Sequence, residues 1–194
     1  PSIDEAGDEL EPNALHDYEG ISDRVLSTTI VIPFNRPEAA EAIIRANGDE
    51  IAAVIIEPVI GRLGMLPANP EFLQRLRDVT KELGIVLIFD EVISLRISSG
   101  GSQEYFGITP DMTAMGKIIG GGLPVGAFGG KDEIMALFDP ESGPRVKHAG
   151  TFNGNPMTAA AGIATLKSMT PELFEQIGTN GEKVREKLRS LISD

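Results

Sequence analysis

Two uninterrupted apolar runs, "IAAVIIEP" at residues 51–58 and "IVLIFDEV" at residues 85–92, constrain this chain more than any other feature. A strand that faces water on one side alternates apolar and polar residues. One that stays apolar until its last position reads as covered on both faces, which is the pattern of a parallel sheet between helices. The segment between them agrees. "NPEFLQRLRDVTKEL" (69–83) sets Phe72, Leu73, Leu76, Val79 and Leu83 at helical spacing and is closed by Gly84. Upstream, the β-branched run "TTIVIP" (28–33) predicts a strand, and "PEAAEAIIRAN" (37–47) a helix with Gly48 just beyond it. The order is a β-α-β unit followed by another helix and strand. The class is therefore α/β, with a mostly parallel sheet covered by helices.

The remaining segments fit around that frame. Residues 1–27 mix Pro, Gly, Asp and Glu with few apolar anchors and read as an acidic tail or a long connection. After the second apolar run come a loop-and-helix region, "SSGGSQEYFGITPD", a short strand at 112–115, a glycine-rich loop carrying Lys117, and a strand near 125–128. Two helices follow, "NPMTAAAGIATLKSM" and the amphipathic "PELFEQIGTNGEKVREKLRSLI", the second with a break expected near Gly178.

Composition excludes several functions. A formal charge of −12 leaves no clustered Lys/Arg surface for nucleic acid. The absence of cysteine removes disulfides, thiolate metal sites and a cysteine nucleophile. No apolar run approaches the roughly 20 residues that span a bilayer, so no membrane partner and a cytoplasmic location are expected. With only His16 and His148, and no His/Asp/Glu cluster at ligand spacing, a metal centre is not expected either. The lysine loop is not a phosphate-binding P-loop, because Ile118 follows Lys117 where Ser or Thr is required. Neither a G-x-S-x-G elbow nor a helix-opening G-x-G-x-x-G is present.

What remains is a set of polar residues where an open α/β sheet binds its ligands, beyond the carboxyl ends of its strands. Glu57 and Asp90 each end an apolar run, and each needs a cationic or hydrogen-bonding partner. Lys117 stands in "AMGKIIGGGLPVGAFGG", an otherwise uncharged stretch whose glycines suit a backbone pressed against something bulky. A strand-end aspartate, a lysine in a close loop and an anion site nearby suit pyridoxal phosphate. The lysine forms a Schiff base with the aldehyde, and the carboxylate keeps the pyridine nitrogen protonated. "HAGTFNGNP" offers Gly150, Thr151 and Asn153 before a helix start for the phosphate. Each residue also has a plain structural reading: Asp90 as a strand-end cap, Thr151 as a turn residue, Lys117 as a loop lysine.

In combination, "IIEPV", "LIFDEVIS", "MGKIIGGGLPVGAFGGKDEIM" and "HAGTFNGNPMTAAAG" resemble the class III aminotransferases of fold type I, in particular the group holding the glutamate-1-semialdehyde 2,1-aminomutases and the β-amino-acid aminotransferases. The resemblance runs from about Thr28 to the C-terminus. It implies that Lys117 is the lysine that binds pyridoxal 5'-phosphate, that Asp90 pairs with the pyridine nitrogen, and that Val92 packs on the ring. Thr151 would reach the cofactor phosphate of a neighbouring subunit, which implies a homodimer with shared sites. Glu57 falls on the glutamate of the family's "EP" motif, in a structural or a catalytic role. By the same resemblance, 28–168 would be the C-terminal part of the cofactor-binding large domain and 169–194 the start of a small domain.

The implied reaction moves an amino group between an amino acid, a β-amino acid being preferred, and a 2-oxo acid. "DEVISLRIS" is one residue shorter than the aminomutase pattern, and it and "ALFDPESGP" suit the β-amino-acid enzymes; Arg62 stands where many ω-aminotransferases carry a glutamate. The aminomutase is the rival within the family, and a non-catalytic piece of the fold is the rival outside it. Family members run to about twice this length, so the chain reads as a fragment lacking the phosphate loop and the aromatic that stacks on the cofactor.

Overall fold

The structure, a computed structural model, describes residues 3–16, 18–141, 143 and 145–192. Parts of the acidic tail, of "ALFDPESGP" and of the last segment therefore lie outside the described residues. The described part of 1–27 is not featureless. It holds a two-residue hairpin of β1 (Gly7–Asp8) and β2 (Glu11–Pro12), and a single helical turn, α1 (Asp23–Leu26), capped by the Ser22 side chain.

Next come α2 (Pro37–Ala46), β3 (Ala53–Ile56), the short hairpin β4 (Val59–Ile60) and β5 (Leu66–Pro67), α3 (Pro70–Leu83) and β6 (Val86–Asp90). Both helices open on proline, whose fixed φ and missing N–H suit a first turn, and α3 closes on Gly84 at φ 70°. After α4 (Gly101–Phe106) come β7 (Met112–Gly116), β8 (Gly126–Gly130), α5 (Asp132–Met135), α6 (Pro156–Ser168) and α7 (Pro171–Ile192). α7 runs unbroken through Gly178, contrary to the expected break.

The main sheet has the order β3-β6-β7-β8, parallel across the first two pairings and antiparallel at the last. One face packs on helices. Val54 and Ile56 from β3 and Leu87 and Phe89 from β6 meet Ala40 and Ile44 of α2 and Phe72, Leu73, Leu76 and Val79 of α3 in a single core. Leu83 is exposed, and its helical position facing the core falls instead to Thr80, whose hydroxyl is satisfied by the Leu76 carbonyl at 2.6 Å.

Two expectations fail on this sheet. Residues 28–33 form no strand. A β-branched run becomes a strand only beside a neighbour that completes its ladder, and among the described residues no strand pairs with it; Ile32 and Phe34 pack on the core from a loop. β3 is also not covered on both faces, for its Ile55 is 64% exposed between buried Val54 and Ile56. Its apolar alternate residues wait on a layer that the described residues do not supply.

The first residue of β7 is preceded by a buried anchor. Asp111 accepts from the Leu87 amide at 2.7 Å and pairs with Arg77 at 3.0 Å and Lys131 at 2.6 Å. Burial works against its charge, but hydrogen bonds from Lys131, the Leu87 amide and Arg77 outweigh it and hold the carboxyl down to about 2. This network fixes β6, β7, α3 and the segment after β8 at the amino ends of the strands, leaving the opposite edge free for chemistry. Among the described residues no helix is long and apolar enough to cross a membrane, and no three acidic or histidine side chains are grouped to hold a metal.

Candidate active site

Asp90 is the last residue of β6 and pairs in register with Ala114 of β7, three residues before Lys117. Alternation along β6 puts Asp90 on the face of Val86 and Ile88, away from the Leu87–Phe89 core. Its Oδ1 accepts from the Val92 amide at 3.0 Å, and among the described residues Oδ2 has no hydrogen-bond donor. The turn is thus self-capped on one oxygen and open on the other. Val92 is half-buried, and a Cβ on Gly116 would sit 3.3 Å from its Cγ1, so it packs on the backbone directly before Lys117.

Lys117 itself starts a 3-10 turn, Lys117–Gly120, with φ at 48°. A left-handed φ on a side chain with a Cβ costs on the order of 1 kcal/mol, and such strain concentrates where a side chain must be aimed. The side chain is exposed, and among the described residues its ammonium has no partner. Among the glycines after it, Gly121 answers to a specific neighbour, α6. A Cβ on Gly121 would run into the Ala161 carbonyl, and a Cβ on Gly162 would run into the Ile119 carbonyl. The bulky object pressed against this loop is therefore a helix backbone, which periodicity alone does not reveal.

Thr151 lies in the turn before α6, exposed, with no contact described between it and Asp90, Val92 or Lys117. The helix start is partly occupied by its own cap, since Asn155 Oδ1 accepts from the amides of Met157 at 2.9 Å and Thr158 at 3.4 Å. Phe152, next to Thr151, is 81% exposed. His148 packs edge-on to Phe128 with centroids 5.2 Å apart. An open apolar groove of about 1020 Å³ runs between Met115, Val125, His148, Phe152 and α6, and none of the four sequence-predicted site residues lines it. Glu57 spends Oε2 on the Gly61 amide at 3.2 Å, a cap on the turn after β4, so its partner is an N–H and not a cation. Arg62 is exposed in the turn Gly61–Leu63.

One buried carboxylate beside the site has no sequence signal beyond its place after Asp90. Glu91 is fully buried and accepts from the Ser102 amide, from the Gln103 amide at 3.4 Å and from Gln103 Nε2 at 3.4 Å.

An amine without a partner, a carboxylate oxygen without a donor on the adjacent strand and an aliphatic side chain between them suit a planar group that carries an aldehyde at one end and a protonated ring nitrogen at the other. The comparisons with known proteins agree. Residues 26–194 match the family described as Aminotransferase class-III. The chain is 45% identical over 182 residues to "Glutamate-1-semialdehyde 2,1-aminomutase 2" of Bacillus pumilus (strain SAFR-032), an alignment covering 93% of this chain and 42% of that protein. A solved omega-transaminase from Sphaerobacter thermophilus shares 50% identity at a TM-score of 0.90, over 92% of this chain and 41% of its own. A beta-phenylalanine aminotransferase from Variovorax paradoxus shares 46% at a TM-score of 0.78, over 82% and 37%. The fold and these matches define an α/β protein of the fold-type I transaminase architecture. The chain belongs to the class-III aminotransferase family, whose members use pyridoxal phosphate, and it spans about two fifths of the length of the relatives it matches.

Proposed function

We propose that the protein to which this chain belongs is a pyridoxal-phosphate-dependent aminotransferase, a cytoplasmic homodimer that moves an amino group between an amino acid, preferably a β-amino acid, and a 2-oxo acid. The observation that carries this reading is the pairing of Asp90 with Ala114, which sets a strand-end carboxylate beside the strand that delivers Lys117. The cofactor, when bound, supplies an aldehyde carbon for the substrate's amino group and a ring that withdraws electrons from the bond to be broken.

The residues of this chain would supply part of what such a group needs. Lys117 would hold the group in the resting protein through its Nζ, and the same Nζ would be the base that takes up the proton leaving the substrate carbon. Asp90 would offer its open oxygen to a ring N–H and hold the proton there, and Val92 would give the ring an aliphatic surface to pack on. Thr151 lies outside this group, and we assign it to the phosphate of the partner subunit's cofactor, in keeping with the exposure of its turn. In this reading 28–168 belongs to the cofactor-binding domain and the segment from 169 opens a second one.

Borohydride reduction of the full protein loaded with pyridoxal phosphate, followed by peptide mapping, tests the assignment. The label is expected on the peptide that contains Lys117, and label on any other lysine overturns it. The similarity to aminomutases supports a second reading, an amino-group shift within one molecule. The two separate cleanly, because a transaminase turns over only with an added 2-oxo acid and a mutase needs none.

A further inference from the structure

We propose that Glu91 is a positioning residue, which fixes the spacing between Asp90 and Lys117 without touching cofactor or substrate. This rests on the reading given under Proposed function. Glu91 is fully buried, and no cation pairs with it among the described residues. A buried carboxylate held only by N–H donors is costly to keep, so its retention calls for a return in geometry.

Its contacts show where that return goes. The main-chain N–H of Glu91 donates to the Ala114 carbonyl at 2.9 Å, on the residue that pairs with Asp90. Its main-chain carbonyl accepts from Leu95 at 3.1 Å, tying down the turn after Asp90. Its side chain accepts from the Ser102 and Gln103 amides at the start of α4. Gln103 Nε2 then lies 3.4 Å from Glu91 Oε1 and 3.3 Å from Thr113 Oγ1, so one amide bridges Glu91 to β7 four residues before Lys117. Gly101, at φ 73°, has its Cβ position blocked by Glu91 Oε2 at 2.5 Å, so the backbone of α4 closes directly on the carboxylate. Asp90 and Val92, the residues on either side of Glu91, are the two that face the proposed ring. The Ala114 bond and the Gln103 side-chain bridge therefore hold the Asp90–Val92 turn against β7, while the bonds from the Leu95, Ser102 and Gln103 amides hold it against the segment that follows.

A double-mutant cycle on the full, cofactor-loaded protein tests this, with Glu91→Gln, Gln103→Ala and Asp90→Asn alone and in pairs. Glu91→Gln turns an NH2 group toward N–H donors, and the expected loss in amine half-reaction rate is ten- to hundredfold, the scale of small misplacements of reacting groups. Gln103→Ala, which leaves the carboxylate on its backbone donors, is expected to lower the rate about threefold in the same direction. If Glu91 acts through Asp90, each change adds less than twofold in the Asp90→Asn background. The visible circular dichroism of the bound cofactor, a readout independent of turnover, is expected to fall in both single variants while borohydride label stays on Lys117. Rate losses that multiply with that of Asp90→Asn, or unchanged dichroism, overturn the proposal. Should Glu91→Gln fail to fold, the Gln103→Ala pair decides alone by the same criteria. Label absent from Lys117 in the unmutated protein sinks the function reading instead, so the two failures are distinguishable.

Discussion

The backbone at Lys117 makes a separation of strain from chemistry possible at a single position. With φ at 48°, any residue bearing a Cβ is strained there and glycine is not. Lys117→Ala and Lys117→Gly both remove the amine, and both are expected to lose turnover by orders of magnitude. In denaturant unfolding, however, the Gly variant is expected to be about 1 kcal/mol more stable than the Ala variant. Equal stabilities would mean that the left-handed turn carries no strain. Asp90 stores no comparable strain, since its side chain already caps the Val92 amide; its availability lies in the second oxygen.

Between elements, the contact that sets the lysine loop is made of backbone. Gly162 of α6 stands against the Ile119 carbonyl, and neither partner is a flexible side-chain end that can yield. Gly162→Ala is expected to push α6 off the loop, at a cost of about 1–3 kcal/mol in unfolding free energy, with weaker retention of pyridoxal phosphate in the full protein. Unchanged stability would show that the helix shifts freely. At the far ends of the same strands, Asp111 links α3, β6 and the start of α5 through Arg77, the Leu87 amide and Lys131. Its carboxyl titrates near 2 when folded and near its ordinary 3.8 when unfolded, so its contribution is complete above about pH 4 and lost as pH falls through 2. That difference is worth roughly 2 kcal/mol. Unfolding free energies of the wild type and of Asp111→Asn, measured from pH 7 to pH 2.5, are expected to converge on acidification, and a constant gap would contradict the depressed carboxyl.

At the scale of the molecule, the chain is one packed layer and one open one. Ile55 of edge strand β3 is 64% exposed on the sheet face opposite α2 and α3, and Phe152 and Met157 stand out at 81% and 72% beside the groove along α6. Apolar surface of this kind, with a β3 edge that no strand pairs with among the described residues, favours association. The isolated 194-residue chain is expected to self-associate with rising concentration in sedimentation velocity and to retain no pyridoxal phosphate after desalting. A monomer that keeps the cofactor would refute both expectations.

The helices α2 and α3 and the strands β6 and β7 were legible in the sequence, because periodicity and end signals are local properties of the chain; Asp90 and Lys117 stood out as candidates, a strand-end carboxylate and a lone loop lysine, and Val92 only through the family resemblance. Residues 28–33 misled for the same reason: a β-branched run states a preference, while a strand needs a neighbour. The uninterrupted apolar texture of 51–58 likewise reports what the segment can bury, and only the packing of α2 and α3 on one face decided what it does bury here. The register of Asp90 against Ala114, the closure of α6 on the glycines and the burial of Glu91 under α4 depend on which backbones meet. That is settled by hydrogen bonds and contacts between residues far apart in the chain, for which a single sequence carries no local signal.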